Sequence, residues 1–472
     1  MLKKQLNVLI VLFGLLFAGS TVNAESTQPS MMELVGKTEY TVNPADQPKG
    51  AVLIDANTGK LLWSENADAP RNPASIMKLM TLYLFYDAMH NNKFSMDTEI
   101  TATPRHESIA NIYALSNNKI KAGVAYPVKE LIPMVLVPSS NVATIMLSEL
   151  VDENPVRFIE LMNEKAKELG MTNTHIYNAT GAQISAFNGF YAEAGVDQSD
   201  LQLSMDNETT ARDIGILTYY FLNKFPEVLD FTKDKKITVM ENTPYTESFD
   251  SYNYSLPNTE YPFEGVDGLK TGSSQTGGFN IDMTAKQGDL RLIAVVLGVG
   301  DWSDQSGEYK RHPFSNAIMK YGFENFAYQE VLAKGKQEVG GKELVLKESL
   351  KDTVRKGDKV DFDTSNQVVQ VKQDLPQVSD LIKPQSIDYT TAAKEAEMKE
   401  QEVTAKKAQE GGVLSFLNKI PGLNRLGIKD PVILGIIACL IVLVLSLLLF
   451  VILSIRSARK RKRIRQRNRR SR

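Results

Sequence analysis

The sequence predicts an α+β protein whose body lies outside the cell membrane, and three observations carry that reading. Residues 50 to 64 read as an apolar strand pair around Asn57-Thr-Gly59, and from residue 265 the pattern returns to strands. Between these two stretches run helical segments, of which 76–89 is apolar nearly all round, as expected of an element buried inside a domain. The two ends carry a secretory leader and an apolar membrane span.

In order along the chain, Lys3-Lys4, the apolar stretch to Phe17 and Val22-Asn23-Ala24 form a signal peptide over residues 1–24. Residues 25–48 are polar and contain proline, which predicts a loose lead-in. After the first strand pair, Asn72-Pro73 is a good N-cap and N1 pair for a central buried helix over residues 76 to 89. Further helices are expected at 128–137, ending before Pro138, and at 141–151, 155–169 and 208–225. Residues 182–207 show no period and read as a long loop beside the site.

Strands at 278–285 and 290–299 form a hairpin across 286–289, and a helix over 309–321 closes a main domain of residues 49–327. Residues 328–388 hold short alternating runs with polar turns, a small all-β module. Residues 389–431 read as a stalk and juxtamembrane segment. Its Ala/Glu/Lys-rich part would span about 30 Å if helical, and 413–428 suits either the membrane surface or a plain linker. Residues 432–455 carry no charge and are long enough to cross a bilayer, and the basic tail 456–472 follows. Positive residues stay cytoplasmic, so the predicted topology is single-pass with the body facing the wall.

The formal net charge of −2 hides strong segregation. Lys3, Lys4 and the 11 Lys/Arg of the tail aside, 41 basic residues face 56 acidic ones, which argues against nucleic acid as partner of the main body. Cys439 is the sole cysteine, so no disulfide forms within the chain. His90, His106, His175 and His312 lack ligand spacing, and neither a metal nor a cofactor is expected.

Three short motifs stand in series: Ser75-Ile-Met-Lys78, Ser139-Ser-Asn141 and Lys270-Thr-Gly272. Each alone is weak, since Ser-x-x-Lys recurs at Ser116 and Ser457. Lys78 lies at i+3 from Ser75 and shares its helix face. It also sits among Ile76, Met77, Leu79, Met80 and Leu82, where an amine is costly unless it has a function or a partner. Burial and a second cation such as Lys270 lower an amine pKa, making Lys78 a candidate neutral base for a Ser75 nucleophile. Ser139 and Asn141 follow Pro138 at a helix boundary and can face a cleft, or simply cap the next helix. Lys270 and Thr271 suit recognition of a carboxylate. Gly272 permits close backbone approach, and the N–H of Ser273 is a candidate oxyanion donor. The plain alternative for Lys270 is a gatekeeper on a sheet edge.

Taken together, the motifs resemble the penicillin-binding, active-site-serine transpeptidase and β-lactamase superfamily, most closely the low-molecular-mass D-alanyl-D-alanine carboxypeptidases. The resemblance runs from about residue 50 to 326 and includes Asn66-Ala-Asp68, Pro73-Ala-Ser-Ile-Met-Lys-Leu-Met80, Leu169-Gly-Met-Thr-Asn-Thr174 and Thr210-Ala-Arg-Asp213. It implies a β-lactamase/DD-peptidase-like fold: an antiparallel sheet flanked by helices with a helical subdomain, then the β-rich domain, the helical stalk and the transmembrane helix.

It also implies peptidoglycan stem peptides as substrate and β-lactam antibiotics as covalent inhibitors. In the roles implied, Ser75 is the nucleophile, Lys78 its base and Ser139 a bridge between Lys78 and Lys270. Asn141 would hold the peptide backbone, Lys270 and Thr271 the terminal carboxylate, and the N–H groups of Ser75 and Ser273 the oxyanion. The chain departs from the family in its longer 182–207 segment and in Ser273-Ser-Gln275, where a bulky side chain often stands. A β-lactamase and a non-catalytic wall scaffold of the same fold are the rival readings. The Glu-x-x-Leu-Asn element of class A β-lactamases is absent, and the intact motif set argues against the scaffold.

Overall fold

Apolar side chains on both faces of two central strands, 50–55 and 290–299, explain the architecture. In the computed structural model, which describes residues 28–372, 375–417, 439–440 and 442–453, strands β1 (Gly50–Asp55), β2 (Leu61–Glu65), β3 (Val266–Ser274), β4 (Gly278–Gln287) and β5 (Leu290–Val299) form one sheet. The order is β2-β1-β5-β4-β3, and every pair is antiparallel.

Val52, Ile54, Ile293, Val295 and Leu297 face a helical layer that includes Lys78–His90, Val128–Leu136, Asn141–Val151 and Ala211–Lys224. Ala51, Leu53, Ile281, Met283, Ala294 and Val296 face the other way, into a core shared with the helix Gly307–Asn325. A strand buried on both faces reads as a continuous apolar run, as 290–299 does. The strand β3 lies at the sheet edge, and its Gly272 passes close to the backbone of Pro73, Ser75 and Ile76.

Several expectations change. Residues 28–48 are not a loose lead-in: Met31–Val35 is a short helix with a Ser30/Glu33 capping box, and Met31, Leu34 and Val35 are buried. Asn72 is not an N-cap. Its Oδ1 accepts from Ala74 N in a local turn, Ala74 takes φ +48°, and Ala74–Met77 is a 3₁₀ turn, so the α-helix begins at Lys78. The Asx turn competes with helical geometry and delays the helix by one turn.

The closing helix is longer than expected, Gly307–Asn325, and carries Pro313 inside. Two small hairpins, Glu99–Thr101 with Ala125–Pro127 and Lys236–Val239 with Glu247–Asp250, and the helix Pro104–Ala110 were not anticipated. Their runs are too short to show a period.

The chain divides into two compact units. The first holds the sheet and helices above together with Leu346–Asp388. In it Phe326–Leu332 pairs with Leu350–Arg355, and Phe362–Asp363 with Val368–Val371. This unit is joined internally by a buried polar knot. Lys60 Nζ meets Asp352 at 2.8 Å and donates to Thr353 O at 2.9 Å, while Asp55 accepts from Thr58 and Thr353. Burial raises the Asp55 pKa, and its hydrogen bonds partly offset that rise. The second unit contains the adjacent strands Gly335–Val339 and Lys342–Leu346 and the helix Ala392–Leu417.

The signal peptide and basic tail lie outside the described residues, as do 432–438, 441 and 454–455 of the expected span at 432–455. Among the described residues no helix is long and apolar enough to cross a membrane.

Candidate active site

Three distant stretches meet at Ser75. The 3₁₀ turn sets Ser75 half-buried one turn before Lys78, the first residue of the central helix, which is fully buried. Lys78 Nζ lies 2.9 Å from Ser75 Oγ, 3.0 Å from Asn141 Oδ1 and 2.6 Å from Thr180 O. The last two partners only accept hydrogen bonds. A neutral amine has two N–H groups for them and one lone pair left for the Ser75 hydroxyl proton. The direction of the Lys78 pKa shift agrees with this count. Burial first, and then the charge of Lys270, holds the Lys78 pKa well below the usual lysine value.

The second motif divides its labour. Ser140 caps the helix Asn141–Val151 by accepting from Ala143 N, while Ser139 takes φ +61°. Capping by Ser140 frees Ser139 and Asn141 to point elsewhere. Asn141 is anchored through its own N–H and Nδ2 to Ser116 O, at 2.8 and 2.9 Å. Ser139 Oγ accepts from Lys270 Nζ at 3.0 Å. Among the described residues no direct hydrogen bond joins Ser139 to Lys78, so the expected bridge has its Lys270 half in this state.

On the edge strand, Lys270 Nζ also donates to Thr271 O at 2.9 Å. Burial and the nearby Arg311 charge lower its pKa to about 7. A Cβ on Gly272 would fall 2.5 Å from Pro73 O and 2.9 Å from Ile76 N, so only glycine lets this strand pass the serine turn. On the other side, a Cβ on Gly181 would fall 2.0 Å from Ala74 O. Two glycines therefore clamp the turn that carries Ser75.

Arg311 was missed by sequence reasoning. It is fully buried, donates from Nη1 to Ser273 Oγ at 3.1 Å and to Asn280 O at 3.2 Å, and from Nη2 to Tyr252 O at 3.3 Å. Burial lowers its pKa to about 10, which leaves it cationic at neutral pH. Ser273, expected to contribute its backbone alone, thus also has its side chain tied to a cation. The available signal was a lone Arg-His-Pro within an otherwise packed helix. Thr180, which supplies the third Lys78 contact, lies in a loop without any motif.

The long 182–207 loop is tied down at several points. Asp206 Oδ2 accepts from Thr276 Oγ1 at 2.7 Å, and Asn207 bonds Asn178. Arg105 binds Glu149, Glu193 and the carbonyls of Phe190 and Tyr191. Asn72 Nδ2 donates to Ser274 Oγ and Thr276 Oγ1 at 3.2 and 2.7 Å, fastening the serine turn to the hairpin tip.

Comparisons with known proteins show the family of the chain. Residues 38–301 match the family described as D-alanyl-D-alanine carboxypeptidase, and residues 328–390 match a domain of unknown function. The chain is 26% identical over 396 residues to D-alanyl-D-alanine carboxypeptidase DacF of Bacillus subtilis, covering 80% of this chain and 90% of that one. To DacA of Escherichia coli K12 it is 27% identical over 296 residues, covering 62% of this chain and 65% of that one. Among solved structures, the peptidoglycan synthesis regulatory factor (PBP3) of Streptococcus pneumoniae superposes with a TM-score of 0.62 at 24% identity, covering 75% of this chain and 99% of that one. Penicillin binding protein 5 of Haemophilus influenzae gives 0.56 at 22%, covering 75% and 98%. These two likenesses concern the fold. The family match spans more than half of the sequence, and this chain belongs to the D-alanyl-D-alanine carboxypeptidase family of serine-type peptidases.

Proposed function

We propose that this carboxypeptidase removes the terminal D-alanine from peptidoglycan stem pentapeptides through an acyl-enzyme on Ser75, and so limits cross-linking. The observation that carries the reading is Lys78 Nζ, held 2.9 Å from Ser75 Oγ with its other two partners both acceptors. Such an amine takes the hydroxyl proton as Ser75 Oγ bonds to the carbonyl carbon of the penultimate D-alanine. The backbone N–H groups of Ser75 and Ser273 receive the oxyanion, a donor of this kind lowering the barrier by about 3 kcal/mol. Collapse of the tetrahedral intermediate breaks the peptide bond, and the departing amine of D-alanine takes a proton relayed through Ser139. Water then attacks the ester and restores Ser75.

Lys270 and Thr271 hold the substrate carboxylate, with Arg311 adding positive charge behind Ser273. Asn141 keeps its carbonyl oxygen on Lys78 and its amide in reach of the peptide backbone. β-Lactams, which carry a carboxylate beside a strained amide, enter the same way and stop at the ester. The leader and the charge-free C-terminal stretch support a wall-facing enzyme with a single membrane anchor and a cytoplasmic tail.

Incubation of the protein with a defined stem pentapeptide should release one D-alanine per peptide. A Ser75→Ala variant should release none and take no fluorescent penicillin label. Release by the variant at the wild-type rate would defeat the proposal.

A further inference from the structure

Residues 177–182 form neither helix nor strand, although 178–181 are buried. Buried backbone N–H groups need partners, and here side chains supply every one. Tyr177 N and Asn178 N donate to Asn207 Oδ1 at 2.7 and 3.0 Å, and Ala179 N donates to Tyr191 Oη at 2.9 Å. Thr180 N and Gly181 N donate to Asn178 Oδ1 at 3.2 and 2.7 Å, and Ala182 N donates to Thr180 Oγ1 at 3.2 Å.

The peptide unit between Thr180 and Gly181 matters most. Its carbonyl accepts from Lys78 Nζ at 2.6 Å, and its N–H is the one that donates to Asn178 at 2.7 Å. A peptide unit is planar, so whatever holds its N–H also aims its carbonyl. Asn178 is steadied in turn by Asn207, whose Nδ2 lies 3.0 Å from Asn178 O and 3.3 Å from Asn178 Oδ1. Both asparagines are buried. We propose that Asn178 and Asn207 are positioning residues for the Lys78 base. Asn207 fixes the Asn178 carboxamide, Asn178 fixes the 180–181 peptide, and that peptide turns the Lys78 amine toward Ser75.

The plain alternative is an Asx turn that only stitches a loop. Three contacts favour more than that. The same peptide runs against the serine turn, since a Cβ on Gly181 would fall 2.0 Å from Ala74 O and 2.8 Å from Ser75 N. One turn after Lys78 on its helix, Thr81 Oγ1 donates to Ala179 O at 2.6 Å, so this helix takes two successive carbonyls of the segment. Asn178 Nδ2 is buried without a hydrogen bond among the described residues, so the carbonyl oxygen is the working half of that side chain. The long 182–207 loop thereby reaches the base, because Tyr191 and Asn207 both belong to it and Arg105 holds the Tyr191 carbonyl. Without Thr180 O, the amine keeps Asn141 Oδ1 as its one other fixed acceptor and can swing its lone pair away from Ser75.

The proposal rests on the acyl-enzyme reading above, and one experiment separates the two. The full chain in detergent is acylated with benzylpenicillin at several concentrations, which resolves the dissociation constant of the first complex from the acylation rate constant. The pH is set on the plateau above the acid limb, where Lys78 is neutral. Asn178→Ala should lower the rate constant by about 10–100-fold, the range for a misplaced reacting group, and leave the dissociation constant unchanged. Asn178→Asp should restore most of the rate, because its carboxylate accepts from the same two N–H groups and the Nδ2 it lacks has no hydrogen bond among the described residues. Asn207→Asp keeps the acceptor for Tyr177 and Asn178 N–H and removes only the NH2 that steadies Asn178. It should slow acylation about tenfold, and it keeps the test open should Asn178→Ala fail to fold. A folded Asn178→Ala or Asn207→Asp variant with the wild-type rate constant overturns the role. A loss confined to the dissociation constant does so too, as does an Asn178→Asp variant as slow as Asn178→Ala. A wild type that takes no label on Ser75 overturns the acyl-enzyme reading itself.

Discussion

Gly272 lies so close to Pro73 that a Cβ built on it would sit 2.5 Å from the Pro73 carbonyl oxygen. The obstacle is backbone, which a side-chain rotation cannot relieve. Gly272→Ala should push β3 away from the serine turn, costing about 1–3 kcal/mol as overpacking does. Because catalytic geometry tolerates little displacement, penicillin acylation should fall about 100-fold. A thermal melt beside an acylation rate measures both effects, and wild-type acylation in the variant would refute the clamp.

Asn141 touches Lys78 through its carbonyl oxygen, and Asn141→Asp turns that acceptor into a charge at 3.0 Å. An anion favours the ammonium form, so the Lys78 pKa rises from its depressed value. The neutral base is then present only at higher pH. The acid limb of the pH–rate profile should move to alkaline values, with activity at neutral pH down at least about tenfold per unit moved. An acid limb that stays put means that Lys78 is not the base.

Arg311 is one of the two causes that lower the Lys270 pKa, the other and larger being burial. Arg311→Ala removes a like charge, so the Lys270 pKa should rise and the alkaline limb shift upward. Carboxylate binding should weaken at the same time, raising KM for the pentapeptide by about 10–100-fold, the range expected for loss of a charge-assisted contact. Steady-state kinetics across pH resolve the two effects. An unchanged KM would remove Arg311 from substrate binding.

Lys60 and Asp352 form a buried ion pair within the first compact unit, at 1% and 2% side-chain exposure. Lys60→Met breaks this buried pair by removing one member, which should cost about 3–5 kcal/mol of stability. Since neither residue touches Ser75, Lys78 or Lys270, acylation at a temperature where the variant is folded should match wild type. Denaturant unfolding and a penicillin-binding rate test this directly.

Much of the site was legible from local sequence because its chemistry comes in short strings. Ser75 and Lys78 are one turn apart, and a lysine surrounded by Ile76, Met77 and Leu79 announces that its burial needs a purpose. The alternating and continuous apolar runs at 50–55, 278–287 and 290–299 likewise name their strands, because burial on one or two faces leaves a period that needs no partner to be seen.

What the sequence alone determined was the three motifs, Ser75 to Lys78, Ser139 to Asn141 and Lys270 to Gly272, and their order. Only the tertiary structure decided that Ser140 would take the capping role and release Ser139, and that Thr180 would close the third side of Lys78. It also brought Arg311, 41 positions beyond Lys270 in the chain, to stand behind Ser273. The physical reason is that spacing encodes neighbours along a helix or strand. Desolvation and charge proximity, which set the protonation of these amines, arise from contacts between segments that no local period records.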